Sequence, residues 1–255
     1  MKIIDSHVHI RENRGEVSDF LSAMDEHHID MAIVMPIVPG NDSLGYSDNA
    51  FVGKLVQQYP DRLMGYACVV PTEEHAAEEL KFAVEKYGFK GLKLHPPLQN
   101  FSLLDPRLGP VIEMCIRLDI PILIHTGSIY TQYARLSYAN SVDIDELAIR
   151  YPEAKLIIAH GNPLSLDPVM VAKHPNVYLD TTITFSEYVR LFPQLGPQMF
   201  EWMRCDDKIL YGSDANPLRL YRFADNIEPL MAMDVSEERK QKLFAGNIMK
   251  LLKLD

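Results

Sequence analysis

Residues 3–10 read IIDSHVHI, an apolar run that ends in two histidines one residue apart. Side chains i and i+2 of a β-strand point the same way. His7 and His9 therefore project together from one face at the end of the run, while Val8 packs on the other. Two imidazoles on one face are an accident, a polar contact, or two ligands for one metal. The rest of the chain has to decide between them.

Taking this run as a strand over 2–10, seven more of the same kind follow. They are MAIVMPIV at 31–38, LMGYACVV at 63–70, GLKLH at 91–95, IPILIH at 120–125, KLIIAH at 155–160, VYLDTT at 177–182 and KILYGSD at 208–214. Helical patterns separate them at 73–88, 106–118 and 142–152, and another closes the chain at 236–253. Thr72 precedes acidic residues suited to a first turn, Gly88 is a stop signal, and Ser236 with Arg239 makes an imperfect cap. Several strands are apolar throughout, as in a parallel sheet covered by helices. Eight strand–helix units in 255 residues predict a single (β/α)8 TIM barrel, with 1–255 as one domain. An open doubly wound sheet competes poorly, because the first strand lacks a glycine-rich turn. The loop PGNDSLGYSDN at 39–49 is expected to form part of a rim or lid. Specificity is expected to lie in this loop and in those at 11–16, 96–104 and 126–141.

Composition removes other classes. A net charge of −10 argues against nucleic acid or an anionic membrane as partner, though a local pocket can still be positive. No apolar stretch approaches the length of a membrane span. Cys68, Cys115 and Cys205 are scattered and odd in number, which fits a reducing, cytoplasmic setting. A small-molecule substrate is the expected partner, and a homodimer is compatible with such folds.

Five of the nine histidines, His7, His9, His95, His125 and His160, fall at C-terminal ends of predicted strands, and Asp214 ends the eighth. In a barrel those ends converge on one mouth, where active sites lie. A lone strand-end histidine is ordinarily a polar residue with a local hydrogen bond; an ordered set on one rim calls for a shared purpose. His27, His28, His75 and His174 read as surface residues.

HVH at strand 1, ILIHTG at strand 5, IIAHGN at strand 6 and YGSDANP at strand 8 together resemble the amidohydrolase superfamily, in its branch of short metal-dependent hydrolases and decarboxylases. GLKLHP and the closing NIMKLLKL are similar to further pieces of that pattern. The resemblance implies that His7, His9, His125 and Asp214 hold a divalent metal, usually zinc. It also implies that His160 polarises the attacked group or binds a second metal, and that Asp214 moves the proton. Neutral imidazole and carboxylate suit zinc on chemical grounds as well. The leading expectation is a hydrolase that uses a zinc-activated water on a small amide, lactone or cyclic substrate. The alternative is a non-oxidative decarboxylase of a small carboxylated, aromatic-like substrate on the same site.

Lys93 and His95 both face the interior by alternation. They are read as lining the substrate pocket, with one metal favoured over two and a carboxylated, bridging Lys93 kept open. Arg11 is placed to meet an anionic substrate, and Asn162 and Asn216 to orient one. Asp5, on the face of His7 and His9 by the same alternation, is expected to accept a hydrogen bond from a ligand imidazole.

Overall fold

The computed structural model describes residues 1–12, 15–36 and 49–254. The expected lid at 39–49 lies, Asn49 apart, outside the described residues, as does part of the loop at 11–16. Among the described residues, eight strands form one sheet in the order β1 to β8: Ile4–His9, Met31–Met35, Leu63–Cys68, Gly91–Leu94, Ile122–His125, Leu156–Ala159, Val177–Asp180 and Ile209–Leu210. Every neighbouring pair is parallel. β8 closes onto β1: Ser6 N donates to Tyr211 O at 3.0 Å, Asp214 N to His7 O at 2.8 Å and His9 N to Ala215 O at 3.0 Å. The fold is the (β/α)8 barrel that the strand count predicts.

The strands alternate as a barrel requires. On β5, Ile122 and Ile124 belong to the outer core against the helices, and Leu123 belongs to the inner one. Ile4, Ile33, Met64, Tyr66, Ile157 and Leu210 join Leu123 inside, where each buried aliphatic side chain contributes about 1.5–3 kcal/mol.

Two elements depart from the sequence-based expectation. β8 is two residues long instead of seven, because the chain leaves regular pairing and turns through a left-handed Asp214, φ 53°. The closing helix at 236–253 is interrupted by a wide π-helical turn, Lys242–Gly246, between Glu237–Gln241 and Asn247–Leu252. Ser236 does cap it by accepting from Arg239 N, and Gly88 ends the helix Ala76–Tyr87 at φ 71°. His174, expected at the surface, is buried against Asp145.

A bulge in β1 decides where the site forms. Asp5 pairs with Ala32 of β2 and Val8 with Val34, so β1 carries one residue more than its partner between those points. Without it, strict alternation would put His7 and His9 on the face opposite Ile4. With it, Ile4 stays in the inner core while both histidines reach the mouth. Re-aiming a side chain beside a site is a common use of a bulge.

Candidate metal centre and active-site cavity

His7 is fully buried, and its Nδ1 lies 2.8 Å from Asp180 Oδ2. A carboxylate only accepts, so Nδ1 carries the proton and Nε2 presents its lone pair. His9 Nε2 is 3.3 Å away from that lone pair. Asp214 Oδ1 is 3.8 Å from His7 Nε2 and 3.5 Å from His9 Nε2. These three donor atoms lie within 4.8 Å of one another. Zinc–nitrogen bonds of about 2.0–2.1 Å in tetrahedral geometry separate two nitrogens by about 3.4 Å, close to the separation between His7 and His9. The donor set fits a divalent cation.

A second run of hydrogen bonds starts from the same carboxylate. Asp180 Oδ1 accepts from His160 N at 2.8 Å and from Thr182 Oγ1 at 2.6 Å. With its proton so used, Thr182 Oγ1 accepts from His160 Nδ1 at 2.8 Å. His160 Nε2 then has only a lone pair, which His125 Nδ1 meets at 3.1 Å. His125 Nε2 is left unprotonated, buried and without a hydrogen-bond partner. That orphaned lone pair is a further observation in favour of an ion, although His125 lies outside the three-residue cluster. His95 stacks on His125, with centroids 3.7 Å apart and planes 11° from parallel.

Burial holds these rings neutral, as metal ligation requires. It pushes His7, His9, His95 and His125 well below the ordinary histidine value, and His160 down to about 4. Burial also pushes Lys93 down to about 8.

Asp214 is held from behind. Arg222 grips its Oδ2 and its carbonyl oxygen, leaving Oδ1 for the cluster. Asn226, 2% exposed, ties the surroundings together. Its Nδ2 donates to Ser213 O at 3.1 Å and to Arg222 O at 2.8 Å. Its Oδ1 accepts from Ile183 N at 2.7 Å. Ile183 has φ 53°, a strained setting for a β-branched residue. Gly212 lets β8 pass close to β1, because a Cβ there would lie 2.7 Å from Thr182 Cγ2 and 3.1 Å from His7 Cβ.

Above the donors opens a cavity of about 600 Å³. His9, His125, His160 and Asp214 form its polar floor, and Leu98, Ile129, Ile183 and Leu191 much of its apolar wall. His95, Arg11 and Asn216 line it. Lys93 does not: it is fully buried, and its Nζ donates to His7 Nε2 at 3.1 Å beneath the floor. Asn162 is also outside the cavity wall, with its Oδ1 accepting from Leu164 N. Asp5 is not the partner of a ligand imidazole. The bulge turns it toward Ser213, whose Oγ and N–H it accepts, and burial raises its carboxyl to about 7. Asp180 holds that role. It ends VYLD at the depth of the strand-end histidines, a signal that a search for histidines passes over. Arg222 and Asn226 lie in the helix Arg222–Met231 and carry no such signal.

A barrel whose mouth gathers buried neutral imidazoles and an aspartate around one point defines a class of metal-dependent enzymes. The amidohydrolase family profile matches residues 4–254, and the chain belongs to that family and is an enzyme of it. A curated relative, the 2-keto-4-carboxy-3-hexenedioate hydratase of a Sphingobium species, is 23% identical over 93% of this chain and 78% of its own length. Among solved structures, the 5-carboxyvanillate decarboxylase of Sphingomonas paucimobilis superposes with a TM-score of 0.77 at 14% identity, covering 100% of this chain and 99% of its own. A 2,6-dihydroxybenzoate decarboxylase from Rhizobium gives 0.72 at 16% identity, covering 99% of each chain. The corresponding 5-carboxyvanillate enzyme of Novosphingobium aromaticivorans, solved with manganese and a nitrobenzoic acid, gives 0.74 at 17%, covering 99% of this chain and 96% of its own.

Proposed function

We propose that the protein is a metal-dependent, non-oxidative decarboxylase of a small carboxylated, aromatic-like substrate. One observation carries the reading: the donor cluster opens into a largely apolar cavity lined by Arg11, Arg219 and Arg222, in a chain of net charge −10. A cationic pocket in an acidic protein selects an anion, and an apolar wall suits a flat carbon skeleton. The similarity to decarboxylases ranks this reading above the hydrolase that the motifs put first.

His7, His9 and Asp214, with His125 through its orphaned Nε2, would hold the cation. When bound, the cation supplies Lewis acidity to a substrate oxygen. We propose zinc, one per chain, on the strength of the imidazole–carboxylate set; manganese is the competing ion. In the reaction the carbon–carboxylate bond breaks, carbon dioxide leaves, and the electron pair left on carbon takes a proton. Asp214, oriented by Arg222, is the carboxylate on the cavity floor that would carry that proton. His160 is neutral and part of the cavity floor, and by accepting from His125 Nδ1 it would turn His125 Nε2 to the cation. Buried Cys68 and Cys115, both free thiols, are in keeping with a cytoplasmic setting.

The test is a panel of hydroxybenzoates, a lactone and an unsaturated keto acid, offered to metal-loaded enzyme with evolved carbon dioxide measured by mass spectrometry. Carbon dioxide from a hydroxybenzoate is the expected result. Turnover of the lactone alone would return the protein to hydrolysis. Hydration of the keto acid alone would align it with its curated relative.

A further inference from the structure

The turn after β8 is built to present one arginine. Four residues past β8, Asp214 turns the chain at φ 53°, and Ala215 bridges back to Val8 of β1. Asn216 then closes the turn twice: its Oδ1 accepts from Leu218 N at 3.0 Å and its carbonyl from Arg219 N at 2.7 Å. Pro217 seats against Gly15, whose φ is 80° and where a Cβ would come 2.5 Å from Pro217 Cβ. The segment is pinned to β1, to itself and to the loop after β1. It sets Arg219 at the rim of the cavity whose floor holds Asp214.

The three cavity arginines differ in what they already do. Arg222 is engaged by Asp214, and Arg11 has interactions of its own. Glu187, the cavity's other acid, pairs with Arg190. Among the described residues, the Arg219 guanidinium has no ion-pair or hydrogen-bond partner. Its planar fork matches a carboxylate in two-point contact. Between the rim and the floor runs the apolar wall of Leu98, Ile129 and Ile183.

We propose that Arg219 anchors a second carboxylate of the substrate, so that the site takes small dicarboxylic acids. One carboxylate meets the donor cluster on the floor, and the other is held at the rim and stays on the product. This inference rests on the carboxylate reading of the site and narrows it.

Equilibrium binding to the metal-loaded enzyme tests it, with isophthalate against benzoate and glutarate against butyrate as matched pairs. The wild type should bind the dicarboxylate of at least one pair about ten-fold tighter or more, the scale of one charge-assisted contact. Arg219→Gln should reduce that ratio to near one, and Arg219→Lys should retain part of it. An unchanged ratio in Arg219→Gln overturns the proposal, and so does a wild type that binds both acids of each pair equally. A wild type that binds none of the four acids overturns the carboxylate reading along with it. The residue is exposed, so neither variant endangers folding.

Discussion

Two lysines at opposite ends of the barrel show how differently its ends use charge. At the mouth, Lys93 is fully buried, is pushed down to about 8 by burial, and meets the lone pair of His7. At the other end, Lys155 precedes β6 and pairs with Asp119 in a wetter setting, Nζ to Oδ1 2.6 Å, with Lys253 completing the cluster. The mouth keeps its histidines and Lys93 dry, shifted and oriented by other side chains. The far end keeps its ionisable groups charged, solvated and paired. Barrel folds concentrate chemistry at the first end and stability at the second, and the contrast can be tested one residue at a time.

The largest effect belongs to the donor cluster. His7→Ala removes the histidine that joins His9, Asp214 and Asp180, so metal content by elemental analysis should fall to background while circular dichroism stays that of a folded barrel. A full metal complement in that variant would break the assignment of the mouth. Next comes Asp180→Asn. Its amide can neither charge-stabilise the His7 Nδ1 proton nor serve Thr182 as a full carboxylate. Metal affinity or turnover should drop about 10–100-fold, as for other groups that orient metal-ligating histidines. An effect below about two-fold would mean that the tautomers of His7 and His160 are set elsewhere.

These residues also show what the sequence makes legible. The eight runs, the HxH pair and the strand-end positions of His125, His160 and Asp214 follow from periodicity and order along the chain, and the barrel brings them to one rim. The bulge between Asp5 and Val8 does not follow, because alternation counts every residue and a bulge hides one. That single residue moves the imidazole-orienting role from Asp5 to Asp180, which lies two strands away in β7. Arg222, Arg219 and Asn226 are out of reach for another reason. They act through a turn and a helix after β8, and their types and spacing are ordinary for a solvated helix start.

Asn226→Ala sharpens the comparison by acting at the mouth on stability as well as on chemistry. It leaves Ile183 N–H and the Ser213 carbonyl without their side-chain partner, at a cost of about 3 kcal/mol. For a chain of this size the melting temperature should drop by roughly 6–12 °C. Because Arg222 is the grip on Asp214, kcat should fall more than KM rises. A loss of stability with turnover intact would reduce Asn226 to a packing residue and leave the strain at Ile183 unconnected to the site.

The smallest effect is expected at the far end. Asp119 has φ 55°, a backbone setting that asparagine tolerates, so Asp119→Asn removes charge with little strain. Its carboxyl is held below the usual value first by the Lys155 hydrogen bond and then by that of Lys253. A carboxyl lowered in the folded state contributes stability that is present above its unfolded value, near 4. That contribution is lost as the pH falls through the lower folded value. Exposed pairs of this kind are worth about 1 kcal/mol or less, so at pH 7 the variant should melt about 2–4 °C lower or less. The difference should close once the pH falls below that lower folded value, with turnover unchanged throughout. A change in turnover would mean that the two ends are coupled through β5 and β6, and the division between them would fail.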